Sequence, residues 1–319
     1  MMQNENKTAL FLDCSSGLSG DMFVGALLDL GADAQKLVQT LNTLPLDGFS
    51  IRISRVNKSA LNVCDFDVIL DGPEAGLDHN MDYLYGHEHD HAHAEHMHSH
   101  EEQGNEPGHS HTEHTHEHVH SHTEHTHENV HSHAEHTHEN VHSHAEHVHR
   151  SLEDITRILK GGALSENALA TALKVFTIVA QAEAHVHGKT VEEVHFHEVG
   201  AVDSIVDIAA AAICLDDLHI DRVVLTHLTD GTGTVRCQHG ILPIPVPAVA
   251  QIAAAHGIPL HIAPIHGELV TPTGAALAAG IRTEDHLPDR FSIKKIGMGA
   301  GKRDYETAGF LRAMLIEAC

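Results

Sequence analysis

From His79 to Arg150 the chain has almost nothing to fold around. The stretch holds 25 of the protein's 36 histidines, and from Pro107 it becomes an eleven-residue repeat running 107–117, 118–128, 129–139 and 140–150. The last three copies share Val-His-Ser-His-(Thr/Ala)-Glu-His-(Thr/Val)-His. No apolar face recurs along the repeat, so burial cannot offset the roughly 1–2 kcal/mol per residue that ordering the backbone costs. The sequence therefore predicts a long disordered His-rich insertion over 73–149, within a core assembled from 1–72 and 150–319. Its HxHxxHxH spacing brings several imidazoles within reach of one borderline cation (Ni, Cu, Zn or Co) at interchangeable positions. In the two central copies these are His120, His122, His125 and His127, then His131, His133, His136 and His138. Such a tract captures or stores metal; catalysis needs fixed geometry that it lacks. A solvated polar segment with no role would have the same composition.

The remaining residues are enough for one large domain or two small ones, and for a proper core. Tryptophan is absent and aromatic residues make up 3% of the chain, so the core must be aliphatic and alanine-rich. That favours helices over an aromatic-filled β-sandwich. The formal net charge of -26 argues against unassisted binding to nucleic acid or to anionic lipid, and makes cations the natural partners. Five cysteines without a CxxC spacing read as reduced intracellular thiols. No signal-peptide pattern opens the chain, and no apolar run approaches the ~20 residues of a membrane span. A cytoplasmic, membrane-free protein is expected.

Along the chain, short apolar runs alternate with helical patterns, which predicts an α/β fold, with α+β as the alternative and helices packed on short-stranded sheets. Thr8–Asp13 reads as a strand, Cys14 to Asp21 as a glycine and serine loop, and the stretch through Leu30 as a helix closed by Gly31. Strand, loop and helix in that order turn backbone N–H groups toward an anion, with Ser16, Gly17, Ser19 and Gly20 lining the loop. No Lys follows the glycines, so this is not a Walker loop. Asp13 and Asp21 suit a metal or a ribose; Asp21 as an ordinary N-cap fits equally. Further predictions are a helix over 34–44, strands over 49–56 and 61–70 with a turn at Asn57-Lys58, and helices over 151–160 and 165–187. A strand over 222–226, a glycine-rich turn over 229–234 and a helix over 248–256 follow. Thr271, Thr273 and Gly274 open another helix, where an anion or a plain hydroxyl cap would be at home. Strands over 292–296 and 310–317 flank a loop over 297–304.

The densest chemistry lies in Val194-His-Phe-His-Glu-Val-Gly-Ala-Val-Asp-Ser-Ile-Val-Asp207. In an extended segment His195 and His197 point to one face, where two neutral imidazoles can approach the same cation. Glu198 faces the other way or begins a turn. From Asp203 the pattern becomes helical, so Asp203 or Ser204 would be the N-cap and Asp207 would lie one turn in. Upstream, Glu183 and His187 stand one helical turn apart on one face. These residues make a candidate metal or catalytic site; an ordinary capped helix beside core histidines is the alternative. No HExxH or comparable ligand pattern supports a conventional metallohydrolase.

Five collinear stretches resemble the LarC family of nickel insertion proteins: 12–22 (LDCSSGLSGDM), 195–205 (HFHEVGAVDSI), 242–248 (LPIPVPA), 268–274 (ELVTPTG) and 299–304 (GAGKRD). That family is similar in carrying a histidine-rich insertion of variable length. The resemblance implies insertion of Ni(II) into pyridinium-3,5-bisthiocarboxylic acid mononucleotide, giving the nickel-pincer nucleotide used by lactate racemase and related enzymes. It also implies CTP hydrolysis with Mg or Mn, seated in a C-terminal domain that would begin where this chain stops and that a second chain could supply. A non-enzymatic nickel chaperone or buffer is the competing reading, and a homo-oligomer stays open. On the family reading, the repeats concentrate nickel while His195, His197 and Glu198, with Glu183 or His187, hold the ion to be transferred. Asp203, Asp207 or Glu198 would take the ring proton, and the nucleotide phosphate would rest at Ser15–Asp21 or at Thr271–Gly274.

Overall fold

The computed structural model describes residues 8–71, 80–85, 150–194, 196 and 200–319. All belong to one unit drawn from residues 1–87 and 146–319; residues 88–145 lie outside them. The fold is mixed α/β. Its main sheet has six strands in the order β2-β3-β9-β10-β1-β4: Phe49–Lys58, Leu61–Leu70, Phe291–Ala300, Phe310–Ala318, Thr8–Asp13 and Val223–Val224. β1 runs antiparallel to β10 and parallel to β4, and β3 meets β9 in parallel, so the sheet is mixed. Two small sheets accompany it, the parallel pair β5 (Leu228–Thr232) and β8 (Leu260–His266), and the hairpin β6 (Thr234–Cys237) and β7 (Gly240–Pro243).

Helix α1 (Gly20–Leu30) lies against the sheet so closely that the facing strand has no room for side chains. A Cβ on Gly299 would sit 1.9 Å from the Met22 carbonyl oxygen, and one on Gly297 2.2 Å from that of Ala26. For this reason β9 continues to Ala300, and the predicted 297–304 loop is strand over its first half. The same cause revises the glycine-rich turn predicted over 229–234. Gly231 is part of β5, because a Cβ there would fall 2.0 Å from the Gly267 carbonyl oxygen; only Gly233 turns the chain. β2 likewise extends through Lys58, and the turn falls on Ser59 and Ala60, both at positive φ. The strand expected over 222–226 shrinks to Val223–Val224.

The helical layer comprises α2 (Ala34–Leu41), a short α3 (Met81–Tyr85), α4 (Leu152–Gly161), α5 (Glu166–His187), α6 (Val202–Asp217), α7 (Pro247–His256) and α8 (Pro272–Ile281). α3 falls inside the tract read as low-complexity; its Leu84 is buried in the core. The core is aliphatic, and Ala209 to Ala212 on α6 are all buried, small side chains that let neighbouring helices approach. α6 starts earlier than the sequence suggests: its N-cap is Ala201, which makes Asp203 the second helical residue instead of a cap. Just upstream, Gly200 packs so tightly that a Cβ would meet the Phe196 Cβ at 2.7 Å. Asp203 then complements the positive end of the helix dipole. Among the described residues no helix is long and apolar enough to cross a membrane.

Candidate functional site

The two glycine-containing helix entries, far apart in sequence, touch. Leu18 N donates to the Leu269 carbonyl (2.9 Å) and Thr271 N donates to the Leu18 carbonyl (3.1 Å), a parallel bridge between Leu18 and Val270. The contact exists because Gly17 and Gly274 lack Cβ atoms: either one would bring it within 2.0 Å of the opposing carbonyl oxygen. The N-termini of α1 and α8 therefore start side by side. At α8 the Thr271 hydroxyl accepts from Gly274 N (3.1 Å), an ordinary cap, while Thr273 is buried. At α1 the N-cap Ser19 makes no side-chain cap; its hydroxyl donates to Asp21. Ser16 is half-buried beside them.

Asp13, at the end of β1, is engaged by Ser15 and by Arg312. Burial alone would push its carboxyl up, but these hydrogen bonds and the guanidinium charge outweigh it and hold it below the usual carboxylate range. From α6, Asp207 reaches the start of α1: a Cβ on Gly20 would lie 2.4 Å from Asp207 Oδ2. The carboxylate thus lies against the helix entry, and Gly20 is what leaves room for it.

Beneath the bridge lies Asp230, fully buried, a residue the sequence reading passed over. Its Oδ1 accepts from Gly231 N (2.8 Å), Leu269 N (2.9 Å) and Val270 N (3.2 Å). Burial pushes this carboxyl up, against the opposite pull of those three donors. The neighbouring wall was also missed: Glu268 pairs with Arg303, Tyr85 Oη lies 2.7 Å from Tyr305 Oη, and Glu268 N donates to Tyr85 Oη at 3.0 Å. Asp230 sits in an Asp-Gly-Thr-Gly run that could have marked it.

His195, His197 and Glu198, like His120, His122, His125, His127, His131, His133, His136 and His138, lie outside the described residues. Phe196, between the two histidines, is buried edge-on against Phe176 of α5, with ring centroids 6.4 Å apart, and its N–H donates to Arg150 O at 3.0 Å. Arg150 also donates through Nη1 to Gly200 O at 2.7 Å. On α5 the expected pair forms, with Glu183 Oε2 3.3 Å from His187 Nε2. Among the described residues no three His, Cys, Asp or Glu side chains are assembled to hold a metal ion.

The family model of nickel insertion proteins matches residues 10–318. The pyridinium-3,5-bisthiocarboxylic acid mononucleotide nickel insertion protein of Alkaliphilus metalliredigens is 44% identical over 97% of this chain and 60% of its own length. The protein of that name from Lactiplantibacillus plantarum is 38% identical over 97% and 61%. A putative nickel insertion protein of Dictyoglomus thermophilum is 31% identical, also over 97% and 61%. The chain thus spans about three fifths of the length of the curated relatives it matches. No solved structure matches it significantly. With almost its whole length matched, the chain belongs to the nickel insertion protein family.

Proposed function

We propose that this chain takes part in nickel insertion into pyridinium-3,5-bisthiocarboxylic acid mononucleotide, forming the nickel-pincer nucleotide. The observation that carries the reading is the bridge between Leu18 and Val270, which sets the starts of α1 and α8 side by side. The positive ends of two helix dipoles favour an anion such as the phosphate monoester of a mononucleotide. Ser16, Gly17, Ser19, Gly20, Thr271, Thr273 and Gly274 would line that cradle, with Asp13 and Asp21 ordering its rim.

Insertion replaces a ring C–H bond by a Ni–C bond. Nickel is the cargo; His195, His197 and Glu198, with Glu183 or His187, hold it until the thiocarboxylate sulfurs displace the harder nitrogen and oxygen ligands. A base takes the ring proton, and Asp207, set against Gly20 at the cradle, is the carboxylate best supported for it, with Asp203 and Glu198 as alternatives. CTP with Mg or Mn does not suit the described residues. No Lys follows either glycine-rich entry, and the nearby Lys302 and Arg303 are engaged by Asp65 and Glu268. On this reading CTP with Mg or Mn would be bound by a further region, such as the additional length of the relatives.

The test is an assay of purified chain with mononucleotide, nickel and CTP, with and without a separately made C-terminal region of a relative. His195→Ala and His197→Ala should retain nickel on the repeats yet lose pincer formation by more than tenfold; normal rates in both would sink the assignment. A nickel buffer is the second reading. Replacing 86–149 with a short linker distinguishes them, since a buffer loses its function whereas an insertase given ample free nickel keeps it.

A further inference from the structure

The last turn of α5 and the tip of the β6–β7 hairpin, roughly fifty residues apart in sequence, link four metal-binding side chains in successive pairs. Glu183 and His187 pair across one helical turn, with side chains 16% and 26% exposed. The His239 ring lies 5.0 Å from the His187 ring, inclined at 37°. Cys237 Sγ is 4.0 Å from His239 Nδ1. Local geometry explains the approach. Cys237 pairs with Gly240, leaving Gln238 and His239 as a two-residue turn, and Gly240 at φ +95 supplies the left-handed backbone that closing the turn requires. α5 ends at His187, where Gly188 caps it in the left-handed conformation, so the negative end of a 22-residue helix faces the cluster.

An ordinary helix-surface ion pair accounts for Glu183 with His187. It does not account for a second imidazole, with a thiol beside it on the hairpin, approaching that turn from another element. Two nitrogens, one carboxylate and one thiol are the donor set of a borderline divalent cation such as Ni(II), Co(II) or Zn(II). The four approach in pairs, and no three yet converge at ligand distance. His239, which links the other two contacts by lying between His187 and Cys237, is exposed at the hairpin tip.

We propose that Glu183, His187, His239 and Cys237 form an exchangeable transition-metal site at the C-terminal end of α5. Half-exposed ligands on two separate elements suit temporary custody better than a permanent structural metal. That nickel is the ion held rests on the function proposed above; the existence of a metal site does not.

Thiolate ligation gives a spectroscopic signature that the histidine repeats cannot produce, because residues 79–149 contain no cysteine. Titrating the full chain with Co(II), and then with Ni(II), should produce a near-ultraviolet thiolate-to-metal charge-transfer band. Cys14, Cys64 and Cys214 are buried, so Cys319 is the one exposed competitor, and Cys319→Ser is the control. The band should persist in Cys319→Ser and vanish in Cys237→Ser. In His239→Ala and His187→Gln it should need at least tenfold more metal, with far-ultraviolet circular dichroism unchanged in every variant. A wild-type chain without the band, a band that survives Cys237→Ser, or a band indifferent to both histidine variants would each overturn the site. Pincer formation without the band would remove the site and leave nickel insertion standing. The band without pincer formation, even with the relatives' C-terminal region supplied, would do the reverse.

Discussion

The Asp230 carboxyl is the most deeply placed acid among the described residues, and its titration leaves a trace in stability. Burial raises its folded-state pKa above the ordinary value of 3.8. The folded state therefore holds the proton more tightly than the unfolded chain. This group favours folding below the unfolded pKa, and that contribution is lost as pH rises through the raised folded value. Asp230→Asn removes the loss. The melting temperature of the variant should gain on that of the wild type as pH rises from about 4 to about 8. A difference that stays constant over the series would contradict the assignment. Asp13 has the opposite sign: its carboxyl is held low, so its contribution is present above the unfolded pKa and is lost as pH falls. Gly274→Ala is the steric test of the bridge, since the added methyl group would fall 2.0 Å from the Leu18 carbonyl oxygen. Forcing the two helix entries apart should cost about 3 kcal/mol or more, read as a lower denaturation midpoint in urea. Asp230 was hard to recognise in sequence because burial is tertiary: an Asp before a glycine looks the same in a solvated turn.

At the scale of elements, the local rules held where local chemistry decides. Ser151 and Asp154 form a reciprocal capping box on α4, Ser165 caps α5, and Gly31 and Gly188 end their helices in the left-handed conformation. Ser151→Ala should destabilise the protein by about 1 kcal/mol, a fall of roughly 2–4 °C in melting temperature. An unchanged melting temperature would mean that α4 is held by packing alone. The misreadings share one physical source. Gly231 was read as a turn residue and Gly297 and Gly299 as loop residues, yet all three lie in strands where another backbone passes within contact distance. Glycine serves both purposes, a positive φ and the absence of a Cβ, and a single sequence does not say which is in use. Asp203 was misplaced by the same ambiguity, because acidic residues favour both the cap and the first turn.

At the scale of the molecule, both described flanks of the histidine tract are fastened to the unit formed by the rest of the chain. Tyr85 bonds to Tyr305 and to Glu268 N, and Arg150 bonds to Phe196 and Gly200. Replacing 86–149 with a flexible linker removes none of these contacts. The melting temperature should stay within about 3 °C, while nickel bound at equilibrium dialysis falls several-fold. A collapse of the fold would show that the tract does more than gather metal. The repeats, the aliphatic composition and the order of strands and helices were legible because each follows from spacing along the chain, which sets periodicity and burial locally. The sequence also carried, in His195 to Asp207 and in the paired glycine entries, the residue types from which the proposed site is built. Tertiary structure alone decided that Leu18 meets Val270, that Asp207 rests on Gly20 and that His239 reaches His187. These contacts join residues roughly fifty to two hundred and fifty positions apart. Their formation depends on how helices and strands pack around a shared core, and no local pattern encodes that.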